Sequence, residues 1–297
     1  MTLRRGARRR GAATGWAYAT PTAAYVLVFF VVPIVLVARM SASDWGLFAG
    51  NRGWNAPDNY TSAVGDRLFW PAVRFTVEYT VVTTVVLLAL ALGLALLVQE
   101  STRWTGLLRT SFLVPSALGL ASASLLFYAL YSPQSSPLTK PLQSLGVIYG
   151  PVSFLGTPGS ALWSTVVLIL WRFAGFYMLL LLVGLQNISG DVYEAARLDG
   201  AGRMQTFRHI TLPLLRPSLA LCTILCVTGS LLAFDQFYIL TKGGPDNSTI
   251  TIVQLVYNMA FQGQNDLGRA AALSILVLAA LLVINVAQFR GLRGKES

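Results

Sequence analysis

The run YTVVTTVVLLALALGLALLV, residues 79–98, holds no charged residue. At 1.5 Å of rise per residue, an α-helix of about 20 residues crosses the roughly 30 Å of hydrocarbon in a bilayer. The run lacks the strict polar–apolar alternation of a barrel strand, and lipid offers no water to backbone groups left outside a helix. It therefore reads as a transmembrane helix.

Five further runs share its character, so the expected spans are residues 16–38, 79–98, 111–131, 161–185, 217–240 and 270–289. Hydrophobic residues make up 55% of the 297 and charged residues only 11%. With a mean hydropathy of +0.61, too much apolar surface is present for an ordinary globular core. The fold class expected is an all-α membrane protein of six transmembrane helices. Its transmembrane domain covers residues 16–290, between a basic segment at 1–15 and a tail at 291–297.

The net charge of +10 follows this topology. With both termini cytoplasmic, the inner segments hold fourteen basic residues: Arg4, Arg5, Arg8, Arg9, Arg10, Arg103, Arg109, Arg197, Arg203, Arg208, Arg216, Arg290, Arg293 and Lys295. The outer segments hold seven, and Arg172 lies within a span. This is the asymmetry of the positive-inside rule. No soluble segment is long enough to gather these charges on one face, which excludes a nucleic-acid-binding role. Arg8-Arg9-Arg10 ahead of an apolar run imitates a secretory signal, but that run is too long for a cleaved one and reads as an anchor. Cys222 and Cys226, the only cysteines, stand four apart on one helix face and read as small buried hydrophobes. No second ligand cluster accompanies them, so no metal site is expected.

The inner loop at residues 186–216 carries the most physical content. Asp191 with Glu194 three residues later reads as a capping box, so a short helix is expected to begin at Asp191 and to carry Val192, Ala195, Ala196 and Leu198. Gly200 permits a sharp turn. A second short helix follows through Met204, Phe207 and His209, until Pro213 removes a backbone donor and turns the chain back to the bilayer. Ala195 and Ala196 let a partner surface approach closely, while Met204 and Phe207 offer apolar anchors. Taken alone, Glu194 could equally cap its own helix in a loop that only connects two spans.

The full spacing E-A-A-x3-G-x9-I-x-L-P is filled by Glu194, Ala195, Ala196, Gly200, Ile210, Leu212 and Pro213. It resembles the ATPase-docking loop of the membrane subunits of bacterial ATP-binding-cassette (ABC) importers. Asp199-Gly200-Ala201-Gly202, Leu212-Pro213-Leu214-Leu215 with Pro217, and Phe234 through Thr241 followed by Gly243-Gly244-Pro245 are similar to the carbohydrate-uptake branch. So are Asn59-Tyr60 and Trp171 through Gly175, and the likeness covers roughly residues 20–290. That branch includes permeases for maltose, lactose and glycerol 3-phosphate. The chain departs from it at Ile188-Ser189-Gly190, where Ile-Pro is usual, at Arg74-Phe75-Thr76 and at Ser136-Pro137.

The resemblance implies an ABC type I importer permease fold with a cytoplasmic coupling loop, in which Glu194, Ala195, Ala196, Asp199, Gly200, Phe207, Ile210, Leu212 and Pro213 meet the ATPase. The implied partners are two ABC ATPase subunits, a second homologous permease completing a heterodimer, and an extracytoplasmic solute-binding protein or lipoprotein. The implied location is the bacterial inner membrane, with lipid around the spans. The chain carries no G-x-x-x-x-G-K-[ST] loop, and His209, its sole histidine, has no nucleophile and acid beside it. It is therefore expected to be no enzyme and to bind no cofactor, with ATP and Mg²⁺ used by the partner ATPase.

The cargo implied is a sugar, most simply a di- or oligosaccharide; the alternatives are glycerol 3-phosphate or a glycerophosphodiester on the same architecture, and a secondary transporter. A secondary transporter would want an ionisable relay and paired repeats, which the three scattered charges Glu78, Arg172 and Asp235 do not supply. Arg172, Phe173, Phe176, Tyr177, Gly229, Ser230 and Asp235 are the candidate lining of the substrate pathway. Sugar rings show apolar faces to aromatics and polar edges to hydrogen-bonding groups, and a charge within a span is costly unless used. Helix packing is the plainer reading of these aromatics, and an internal pairing the plainer reading of Arg172.

Overall fold

The computed structural model describes residues 18–100, 102–132, 137, 143–146, 153–263 and 265–293. The expectations for the basic start, for Ser136 and for the end of the tail lie outside these. Among the described residues the fold is helical, with four helices long and apolar enough to span a membrane and two bent helix pairs that would bring the total to six.

The chain divides into two compact units. The first takes in the residues up to Asp66 together with Val256–Leu278. It opens with helix α1, Tyr18–Ser41, an apolar rod with none of its hydrophobic window buried within the chain. Between Ser41 and the next span, where a loop was expected, a two-stranded antiparallel hairpin forms from β1 (Ser43–Gly46) and β2 (Gly50–Trp54), followed by α2 (Ala56–Val64). Asn59 fastens these pieces. Its buried amide nitrogen donates to the carbonyls of Ser41 at 3.0 Å and Ser43 at 2.8 Å. Arg269 adds a bond to the Ser62 carbonyl at 3.0 Å and an ion pair with Asp66 at 3.3 Å.

The second unit takes in Arg67–Leu255 and the chain from Ala279 on. Its core lies between α3 (Phe69–Leu97), α6 (Pro158–Gln186) and α9 (Arg216–Leu231). Tyr79, Leu87 and Ala91 of α3 are buried with Leu168, Met178 and Leu181 of α6. Two glycines set how close the helices come. A side chain at Gly175 would overlap the backbone of Phe112, and one at Gly184 would overlap Ser218. Small residues at such crossings are the usual means of close helix approach in lipid, where burial alone drives little association.

Two expected spans are broken. Residues 111–131 were expected to form one helix, but α4 (Arg103–Leu113) runs through a tight turn at Val114–Ala117 and meets α5 (Leu120–Leu130) at 95°. Pro115 has no N–H to continue the ladder, and the Ser116 hydroxyl donates instead to the Arg172 carbonyl at 2.6 Å. Residues 217–240 were likewise expected as one helix, but α9 stops at Leu231 and α10 begins at Asp235 (Asp235–Leu240). The Ala233 carbonyl freed by that break accepts from Thr251 Oγ1 at 2.7 Å. Between the expected spans 217–240 and 270–289 lies α11, Ile252–Phe261, and α12, Leu267–Arg293, closes the described chain.

Candidate functional site

Two regions carry the candidate residues, and both lie in the second unit. The first is an elbow between α6 and α9. Helix α7 (Gly190–Leu198) begins one residue earlier than expected, and its cap is Ser189, whose hydroxyl accepts from the Asp191 N–H at 3.3 Å. The expected Asp191–Glu194 box does not form. A serine hydroxyl already serves that donor, and Asp191 falls in the first turn, where the helix dipole favours a carboxylate. The far end closes around Gly200 at φ +76°, with the Ala201 amide donating to the Ala196 carbonyl at 2.9 Å and Gly200 N–H to the Arg197 carbonyl at 3.1 Å. This is a Schellman closure, which needs a left-handed residue at Gly200.

Helix α8, Arg203–Leu214, follows, with a wide turn at Phe207–Thr211. Pro213 was expected to turn the chain, but it lies inside this helix. The wide turn precedes Pro213 and absorbs its missing donor, so the 65° bend falls at buried Leu215, ahead of α9. The Tyr193 hydroxyl lies 3.4 Å from Thr211 Oγ1, tying α7 to α8. Glu194, Ala195 and Asp199 are exposed, Ala196 is buried, and Phe207, Ile210, Leu212 and Pro213 are half-buried. Leu198 at 89% exposure and Met204 at 74% leave an apolar patch that water alone does not explain.

The second region is a cavity of about 320 Å³ between α3, α5, α6, α9 and α10, at the lower end of the size range of small-ligand sites. The structure brings six of the seven candidate pathway residues to its wall: Phe173, Phe176 and Tyr177 from α6, Gly229 and Ser230 from α9, and Asp235 at the head of α10. Arg172 lies beside the wall rather than on it. Its guanidinium carbon sits 4.2 Å over the Phe173 ring, its Nε is buried without a partner, and among the described residues no acid forms an ion pair with it.

Among the wall residues that escaped the sequence reading are the polar Tyr79, Thr83 and Gln236. Tyr79 and Gln236 stand 157 positions apart, and the bond from Gln236 Nε2 to the Tyr79 hydroxyl at 3.2 Å has no local signal. Thr83 Oγ1 and Gln236 Oε1 are buried without partners. Such groups cost about 1–3 kcal/mol each. Cys226 also lines the cavity, and Cys222 is buried behind it. Among the described residues no group of His, Cys, Asp or Glu is placed to hold a metal ion.

Long apolar helices, an elbow leading from one into another and a cavity between the helices it joins define a multi-pass transport permease. Residues 85–290 match the binding-protein-dependent transport system inner membrane component family, and the chain belongs to that family. It is 31% identical to the lactose transport system permease LacF of Rhizobium radiobacter over 99% of both chains. With the trehalose/maltose permease MalF of Thermococcus litoralis it shares 33% over 93% of this chain and 92% of the other. The fold is that of an ABC importer permease. A chain of a bacterial ABC transporter involved in alginate import superposes at a TM-score of 0.82, with 21% identity, over 99% of this chain and 100% of that one.

Proposed function

We propose that this chain forms one half of the translocation pathway of an ATP-driven, binding-protein-dependent importer of a sugar, a di- or oligosaccharide. The observation that carries this reading is mechanical continuity. Helix α6, which brings Phe173 and Tyr177 to the cavity, runs into α7, and α8 runs through Leu215 into α9, which brings Gly229 and Ser230. A push on the elbow therefore acts on two of the helices that wall the cavity. The names of the relatives, lactose and trehalose/maltose permeases, support a sugar as cargo over a glycerophosphate.

In this reading a second homologous permease completes the pathway, two ABC ATPase subunits drive the pair, and one of them seats the exposed face of Glu194, Ala195 and Leu198. ATP and Mg²⁺ are used on those subunits. A solute-binding protein delivers the sugar from outside, a step supported by the bacterial alginate ABC transporter, which forms a complex with a pentasaccharide-bound periplasmic protein. Both termini face the cytoplasm of a bacterial cell, which places the elbow on the ATPase side. Glu194→Lys, with membrane insertion retained, is expected to abolish sugar uptake by reconstituted vesicles while ATP hydrolysis loses its response to sugar. Undiminished uptake would remove the coupling assignment.

A further inference from the structure

Thr83 and Thr84 differ from the other two threonines of α3. Thr76 and Thr80 satisfy their hydroxyls by donating to the carbonyls four residues back, Ala72 and Thr76, each at 2.7 Å. Neither Thr83 nor Thr84 makes such a bond or has a partner at full hydrogen-bond geometry; Thr83, whose hydroxyl lies near that of Tyr79, is the one of the two in the cavity wall. One turn earlier on the same face, Tyr79 accepts from Gln236 Nε2 at 3.2 Å, which fixes the amide and leaves Gln236 Oε1 unpartnered as well. The frame is stiff. The Tyr79 ring packs edge-on against Phe237 at 4.8 Å, and Phe237 against Phe75 at 5.1 Å.

We propose that Thr83 and Gln236, oriented by Tyr79, read two hydroxyl groups of the transported solute and so help determine which sugar passes. The proposal rests on the carbohydrate reading above and narrows it. Gln236 Oε1 can only accept, so the solute must bring a donor, and Thr83 can give or take a hydrogen bond. A sugar hydroxyl does both. The wall therefore calls for a hydroxyl-bearing solute, and that this solute is a sugar rests on the reading above. Both atoms are closed to water in this conformation, so the solute meets them as the cavity widens during transport. A site built to pair with a hydroxyl discriminates strongly against an analogue lacking it, because its buried groups are then left unpaired.

The test uses the assembled importer in proteoliposomes with its binding protein and ATPase, offered radiolabelled lactose, maltose and trehalose, then monodeoxy analogues of whichever sugar accumulates. Binding-protein affinities for the same sugars are measured separately and divided out. Wild type is expected to disfavour at least one deoxy analogue about tenfold. In Thr83→Val, close in shape, or Gln236→Leu, that preference should fall below twofold, and Thr83→Ser should restore it. Intact discrimination in both variants would overturn the proposal while leaving the sugar reading standing. Accumulation of none of the sugars by wild type, with glycerol 3-phosphate accumulated instead, would overturn the sugar reading and the proposal with it.

Discussion

The amide of Ala201 donates to the carbonyl of Ala196 at 2.9 Å across Gly200, whose φ of +76° closes the first arm of the elbow. A β-branched side chain there costs about 1–2 kcal/mol in a left-handed backbone. Gly200→Val is therefore expected to loosen the angle between α7 and α8 and to lower sugar-stimulated ATP hydrolysis several-fold. Gly200→Asn should be milder, since asparagine tolerates that region. ATPase assays on the assembled importer, with and without sugar, measure both.

Gly175 and Gly184 make different predictions because of what they touch. A methyl at Gly184 meets the side chains of Ser218 and Leu215, whereas one at Gly175 meets the Phe112 backbone. Overpacking of this kind costs about 1–3 kcal/mol. Gly184→Ala should lower the melting temperature of the detergent-purified protein, and adding Ser218→Gly should recover part of the loss. Gly175→Ala should be the more damaging of the two, and no single side-chain truncation at Phe112 should rescue it.

Four of the six spans were legible because their length and apolarity are set by the bilayer, whatever the helices pack against. The elbow was legible as a spacing, with Gly200 the turn it was expected to be. Where local signals competed, they misled. Ser189 took the cap assigned to Asp191, and the wide turn at Phe207–Thr211 moved the bend from Pro213 to Leu215. The break before Asp235 could not be read at all. The sequence there is apolar, and the bond that accepts the freed Ala233 carbonyl comes from Thr251, 18 residues on. For the same reason the aromatics of α6 were visible as candidate lining, whereas Tyr79 and Gln236 required the fold to bring them together.

Thr228 Oγ1 donates to Asn285 Oδ1 at 3.0 Å, linking α9 to the last helix. Hydrogen bonds between membrane helices contribute about 0.6 to 2 kcal/mol. Thr228→Val should destabilise by about that amount, because the Asn285 amide oxygen loses its partner in an apolar setting. Thr228→Val with Asn285→Leu should recover much of the loss, since removing both partners leaves nothing unpaired. A double-mutant cycle on thermal denaturation in micelles gives the coupling energy, and additive losses would show the bond contributes nothing.

Arg172 presents a thermodynamic argument of its own. A cation at the middle of a span costs about 2.5–3.5 kcal/mol on insertion scales, and here it is offset only by the Phe173 ring, with no ion-paired acid among the described residues. Cation–π contact contributes about 0.5–2 kcal/mol, which is less than that cost. On the proposed function, a residue that the membrane disfavours and the packing does not repay is expected to have its use in transport, beside the cavity wall that Phe173 forms. Arg172→Leu should therefore insert at least as well as wild type, and melt no lower in micelles, while sugar uptake falls about tenfold or more. If insertion and melting both worsen and uptake per inserted molecule is unchanged, the guanidinium serves as packing over Phe173 and has no part in the pathway.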